Sequence, residues 1–266
     1  MAHETRYSLE VVKAWTESGM VPDALRSEPP PARVRSVSPA EIGVAFQPIV
    51  DLKKKRTYAA EMLVRCRSEP FRDPAFLFEQ AELQRATGRL GRLIREVGVE
   101  RAPDLPLFLN LHPHELSERW VVRTDDPMNY IERGIYLEIT ESAALDYYDL
   151  CRGALAELCS RLGAKLVVDD FGAGQSNLLR IAELRPAVVK LDRSLVADSD
   201  RSSTKQTILK HTVALCRDLG AKVVAEGIER EDELRCLIDL DVDYGQGYLL
   251  ARPGDPMPSL TWPAGV

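Results

Sequence analysis

From Gly43 onward, short apolar runs alternate with longer stretches in which apolar residues recur every three or four positions. The runs GVAFQPIV, TYAAEMLVR, LPLFLNL, GIYLEIT, AKLVVDD, AVVKLD, AKVVAEG and YGQGYLL have the length and β-branched content of strands. The stretches DLCRGALAELCSRL, NLLRIAEL, TKQTILKHTVALCRDL and REDELRCLIDL carry helical spacing. Strand and helix in alternation build a parallel sheet with helical crossovers. Eight such units in about 220 residues predict an α/β fold, a modified (β/α)8 barrel of the TIM type. One connection breaks the rule. DLKKKR, between QPIV and TYAAEM, is shorter than the dozen residues a parallel crossover needs. The first strand is therefore expected to run antiparallel to the second, and Leu52 to Arg56 reads as a solvated hairpin turn rather than a phosphate-binding patch.

Residues 1–40 do not share the rhythm. YSLEVVKAWTESGM can form a short amphipathic helix, and SEPPPARVRSVSP is a proline-rich connector expected to be extended. The expected division is an N-terminal helix and linker over 1–40 and a barrel domain over 41–266. The lead reads as a cap plus linker, with a docking segment for a protein partner or a second copy as the alternative.

Composition narrows the class. A formal net charge of -6 argues against a protein that coats a nucleic-acid polymer. No apolar run approaches the roughly 20 residues of a membrane helix, and the N-terminus lacks the basic start and apolar core of a secretory signal. The five cysteines are odd in number and show no C-x-x-C spacing, so they read as reduced thiols of a cytoplasmic protein.

The stretch KLVVDDFGAGQSN puts two carboxylates at the tip of a buried strand, a costly place unless a cation meets them. In a barrel of this kind the C-terminal strand ends converge on one mouth. The polar residues expected there are Glu61, Asn110, Glu138, Asp169, Asp170, Lys190, Glu226 and Gln246. A helix cap or surface ion pair explains one of them, not all at equivalent positions. Carboxylates with an amide oxygen are hard donors that suit Mg2+ or Mn2+. So many of them suggest two ions, the arrangement that activates a water and steadies the leaving oxygen in phosphodiester cleavage. Asp170, where strand gives way to a Gly-rich loop, can swing toward the mouth and serve with Asp169. Lys190 is the one cation of the set, able to orient a nucleophile or to pair with a neighbouring carboxylate. His112 and His114 form an H-x-H beside Asn110, but Pro113 and the loop position make a coincidental pair the better reading.

These residues fall into a recognisable series. FQPIVDL, EMLVR, LNLHPHEL, LEITES, DDFGAGQSNL, VKLDRSLV, VVAEGIE and GQGYLLARP stand in the order of the motifs of the EAL family of cyclic di-GMP phosphodiesterases, which the chain resembles from about Val44 to Pro253. The resemblance implies hydrolysis of one phosphodiester bond of cyclic di-GMP to linear pGpG with Mg2+ or Mn2+. It implies that Glu61, Asn110, Glu138 and Asp169 ligate one metal and that Asp169 and Asp170 reach a second. Lys190, Glu226 and Glu61 become the catalytic set, the first two handling the water. Gln47, Leu63, Arg65 and Gln246 would contact substrate, and Glu141 would brace the loop after Asp170. A homodimer through the helix beginning near Ser176 is also implied. The chain departs from the family pattern at Met62, Cys66, Ala173 and Gln175. The alternative function is a catalytically silent cyclic di-GMP receptor that signals through a protein partner, to which the altered loop would be suited.

Overall fold

A computed structural model of the chain describes residues 33–117, 121, 123–173 and 178–266. The expected N-terminal helix and residues 27–32 of the proline-rich linker lie outside the described residues, as do Gln175 and Ser176. The unit that holds the barrel spans Val34–Val266. It takes in the last residues of the expected linker, because Val34 and Val37 are buried in its core.

The strands are β1 (Ile42–Asp51), β2 (Arg56–Cys66), β3 (Leu107–Asn110), β4 (Ile135–Thr140), β5 (Lys165–Phe171), β6 (Val188–Leu191), β7 (Lys222–Ala225) and β8 (Tyr244–Gly245). They close in sequence order into one barrel. β1 is antiparallel to both neighbours, β2 and β8, and the remaining pairs are parallel. The short DLKKKR connection is the hairpin turn expected of it, with Lys53, Lys54 and Lys55 exposed. The eighth strand is shorter than the run YGQGYLL suggests. Gly247 lies against the backbone of Ile228, where a Cβ would come 2.1 Å from the carbonyl oxygen. The chain turns there, and Leu249 N donates to Ile228 O instead of to a strand neighbour.

Around the barrel lie α1 (Pro74–Leu83), α2 (Thr87–Val99), α3 (Pro113–Ser117), α4 (Glu141–Asp146), α5 (Ala156–Leu162), α6 (Leu178–Leu184), α7 (Ser203–Asp218) and α8 (Glu231–Asp239). α1 starts where Asp73 caps it, its carboxylate accepting from Ala75 N, with Pro74 in the first turn. α2 buries Leu90, Leu93 and Ile94 against the sheet. Met62, on the outward face of β2, packs into room left by Gly98 of α2, where a Cβ would lie 2.1 Å from its Sδ. The bulkier residue in the second motif is thereby absorbed between sheet and helix.

The barrel interior is layered by strand alternation. Ile49, Ala59, Phe108, Tyr136, Val167, Val188 and Val224 form an apolar layer. Phe108 stacks on Tyr136, and Tyr58 stacks on Tyr244 towards the N-terminal ends of the parallel strands. Two positions further along each parallel strand, on the same face, come Glu61, Asn110, Glu138, Asp169, Lys190 and Glu226. On the reversed β1 the corresponding step runs backwards, from Ile49 to Gln47. One layer closes the barrel and the next carries the chemistry.

Candidate active site

Lys190 is the hub. Its side chain is 1% exposed, and its Nζ lies 2.7 Å from Glu226 Oε1, 3.0 Å from Glu138 Oε1, 3.1 Å from Asp169 Oδ1 and 3.4 Å from Glu61 Oε2. Burial opposes its charge, but the four surrounding carboxylates outweigh it and hold the ammonium pKa well above the ordinary lysine value. The carboxylates respond unequally. Glu61 is also buried, yet Lys190, with hydrogen bonds from Gln246 and Asn110, keeps its pKa below the usual glutamate value. Burial pushes Glu138 well above that value against the pull of Lys190, with Glu61 and Asp169 adding to the push. Burial likewise drives Glu226 up to about 8, against Lys190.

The amides tie the rim together. Asn110 Nδ2 donates to Glu61 Oε1 at 3.3 Å, and Gln246 Nε2 donates to Glu61 Oε2 at 2.7 Å and to Gln47 Oε1 at 3.0 Å. Gln47 Nε2 in turn donates to Ala251 O at 3.1 Å. Glu61, Glu138 and Asp169 each offer an oxygen within 4.8 Å of the others, and so do Asp169, Asp170 and Glu226. Asp170 reaches this second group because the ladder to β6 is irregular between Val168 and Phe171 and its backbone turns left-handed, at φ +56°. Alternation alone would have sent it to the opposite face.

The donor set can be tested against a divalent ion. All contributing atoms are carboxylate or amide oxygens, the preference of Mg2+ and Mn2+. Glu138 Oε1 lies against Lys190 Nζ, but its buried Oε2 makes no hydrogen bond, and Gln246 Oε1 is likewise buried without one among the described residues. Lone pairs left over at the mouth of a barrel, beside surplus negative charge, fit a cation. The residues present therefore suit the group.

The other expected positions are spread around the rim. Leu63 and Arg65 line a cavity of about 220 Å3 together with Asn110 and Phe78. Glu141, buried at the start of α4, accepts from Gly172 N at 3.0 Å, so it does contact the loop that follows Asp170. Ala173 stands exposed in that loop. His112, His114 and Glu82 come close enough to share an ion. However, His112 Nδ1 accepts from His114 N at 3.2 Å. A neutral imidazole accepting at Nδ1 carries its proton on Nε2, which withdraws that nitrogen as a ligand. The five cysteines are free thiols, and none reaches the mouth.

Sequence reasoning missed a second buried group beside the site. Arg95 of α2 meets Glu115 and Asp126, all three almost fully buried. The available signal was Arg95 itself, a charge set directly after Leu93 and Ile94 on the apolar face of its helix.

An antiparallel-first barrel with a carboxylate-lined mouth around one lysine defines the class. The chain belongs to the EAL domain family, whose model matches residues 33–253. It is 28% identical over 233 residues to the cyclic di-GMP phosphodiesterase RocR of Pseudomonas aeruginosa, covering 83% of this chain and 59% of that one. Among solved structures it resembles the PaMucR phosphodiesterase in complex with c-di-GMP, with a TM-score of 0.71, 26% identity, and 81% and 92% of the two chains covered. It also resembles Klebsiella pneumoniae BlrP1 in a manganese and cy-diGMP complex, with a TM-score of 0.70, 27% identity, and 92% and 66% covered. Against the first four curated relatives the chain spans 28% to 39% of their length. Among the described residues no helix is long and apolar enough to cross a membrane.

Proposed function

We propose that this chain is a metal-dependent phosphodiesterase that hydrolyses cyclic di-GMP to linear pGpG. The observation that carries the reading is the buried Glu138, its Oε2 without a hydrogen bond among the described residues and its Oε1 against Lys190, within a ring of carboxylates in an EAL barrel. Glu61, Asn110, Glu138 and Asp169 would hold one divalent ion, and Asp169 and Asp170 would reach a second. Two ions in such a site supply Lewis-acid stabilisation of charge on the phosphoryl group and on the attacking and leaving oxygens. The names of RocR and of the PaMucR and BlrP1 complexes support this substrate and a divalent metal.

In this reading Gln47, Leu63, Arg65 and Gln246 line up the dinucleotide, Arg65 through a phosphate oxygen. Lys190 orients the attacking water by its ammonium. Glu226 Oε1, 2.7 Å from Lys190 Nζ, accepts the proton as the water oxygen bonds to phosphorus. The bond from phosphorus to the 3′ oxygen breaks, and that oxygen takes a proton from solvent. Two copies would pair through α6, on which Leu178 and Leu179 stand exposed, a reading checked by the molar mass in solution of a Leu178→Lys, Leu179→Lys variant.

The experiment is cleavage of cyclic di-GMP by purified protein with Mg2+ and, separately, Mn2+. Conversion to pGpG that disappears in Glu61→Ala is the expected result. Intact wild-type protein that leaves the substrate uncut in both metals overturns the reading.

A further inference from the structure

Asn110 is set at the end of β3, and the chain beyond it is held by a clamp outside the barrel mouth. Leu111 N donates to Glu138 O at 2.9 Å, so the first residue after Asn110 is still tied to the sheet. The next amide, His112 N, donates to Glu115 Oε1 at 3.1 Å, and Glu115 N donates back to His112 O at 2.8 Å. Glu115 Oε2 takes Arg95 Nη1 at 2.7 Å. Arg95 then grips Asp126 with two parallel bonds, Nε to Oδ1 at 3.2 Å and Nη2 to Oδ2 at 3.0 Å. Asp126 Oδ1 also accepts from Met128 N at 3.0 Å.

The clamp has little freedom. Arg95, Glu115 and Asp126 are 3%, 1% and 0% exposed. Gly91, one turn before Arg95 on α2, leaves the space the Glu115 carboxylate occupies, since a Cβ there would lie 2.1–2.6 Å from its atoms. A planar guanidinium between two carboxylates is a geometry-specific support. Through Glu115 it fixes the backbone two residues past Asn110, whose side-chain NH2 donates to Glu61 Oε1, so that its oxygen is the atom left for an ion.

We propose that the Arg95–Glu115–Asp126 network is a positioning device for Asn110, setting the affinity of the metal site without touching the ion. The inference rests on the reading of Asn110 as a ligand. Partners that orient ligands in this manner commonly change metal affinity by about 10–100-fold when lost.

The test is Mn2+ binding, followed by electron paramagnetic resonance titration with the metal alone. Glu115→Gln puts an NH2 group against either Arg95 Nη1 or His112 N, donor facing donor, while keeping size and shape. The expected result is a folded protein whose Mn2+ affinity falls about tenfold or more. On an Asn110→Ala background the same change should cause little further loss, because its route to the metal is gone. Arg95→Lys, which keeps the charge but loses the double grip on Asp126, should fall between wild type and Glu115→Gln, and it carries the same cycle if Glu115→Gln does not fold. Wild-type affinity in Glu115→Gln, or a loss that adds in full to that of Asn110→Ala, overturns the positioning role alone. Wild-type protein that binds no Mn2+ overturns the metal-site reading and takes this inference with it.

Discussion

Two groups of buried charge flank Asn110 in this protein, and they are built on opposite principles. Around Arg95 there are two carboxylates to one guanidinium, and all four carboxylate oxygens have donors. Around Lys190 there are four carboxylates to one ammonium, and Glu138 Oε2 has no hydrogen bond among the described residues. A buried ionic group in which every carboxylate oxygen has a donor can hold its neighbours in place but offers little to an outside cation. One with surplus negative charge converging on a barrel mouth has oxygens to offer a cation, as the proposed metal site requires. Burial does not separate Lys190 and Glu138 from the Arg95 group, although Asp169 and Glu226 are 11% and 18% exposed at the mouth. Satisfaction of the hydrogen bonds does.

Removing each cation is the sharpest way to test that contrast. Lys190→Met and Arg95→Leu each strand buried carboxylates, and each should cost about 3–5 kcal/mol in metal-free protein. Their response to metal should diverge. Added Mn2+ is expected to restore much of the thermal stability of Lys190→Met, because the ion itself replaces the missing positive charge. It should do little for Arg95→Leu. Thermal melts with and without Mn2+ provide the measurement, and equal recovery in both variants would erase the distinction.

The next effect concerns surplus charge alone. A ligand present at 100 times its dissociation constant stabilises the fold by about 2.7 kcal/mol, so wild-type protein should melt higher in excess Mn2+. Glu138→Gln should abolish that shift. It should also make the metal-free protein more stable, by about 0.5–2 kcal/mol, as happens when a residue kept for function at the expense of the fold is neutralised. A metal-free Glu138→Gln protein that is less stable than wild type would show that Glu138 is a structural partner of Lys190 after all.

The mouth was legible from the chain because strand alternation is a rule of period two. Once Phe108, Tyr136, Val167, Val188 and Val224 are read as one inward layer, Asn110, Glu138, Asp169, Lys190 and Glu226 must share the layer above. The reversal of β1 was legible from the length of DLKKKR. The Arg95 network was not, because it joins α2, the turn into α3 and the loop at Asp126 through side chains, and no sequence period links positions 95, 115 and 126. Asp170 lies between these cases. Its identity was visible, but its approach to Asp169 depends on a left-handed backbone that a sequence does not announce. The early end of β8 depended likewise on Gly247 meeting Ile228, a contact between distant segments.

Two glycines probe the packed side of the comparison. Gly91→Ala drives a methyl into the Glu115 carboxylate, which Arg95 and His112 hold in place, and should cost about 1–3 kcal/mol. Gly98→Ala makes an equally close approach to Met62 Sδ, but a thioether chain can rotate away. Its cost should be smaller and should be relieved by Met62→Ala, whereas no single truncation should relieve Gly91→Ala without breaking the clamp. Urea denaturation of the four proteins measures both. A Gly91→Ala protein as stable as wild type would mean that the Glu115 clamp is looser than its hydrogen bonds indicate.

The smallest expected effect lies at Asp170, where backbone and charge both oppose the fold. A left-handed residue other than glycine carries a conformational cost of roughly 1–2 kcal/mol, less for aspartate than for most. Asp170→Gly removes that cost, loses part of the gain to the freer unfolded chain, and takes one carboxylate away from Asp169 and Glu226. The metal-free protein should gain about 1 kcal/mol or less, while the number of Mn2+ ions bound should fall from two to one. Asp170→Asn separates the causes, because asparagine tolerates the same backbone but carries no charge. If Asp170→Asn gains as much stability as Asp170→Gly, repulsion at the mouth is the source, and the contrast with the balanced Arg95 group extends to its outermost residue. If only the glycine variant gains, the backbone is the source, and the left-handed turn is what the fold tolerates to bring a second carboxylate to the site.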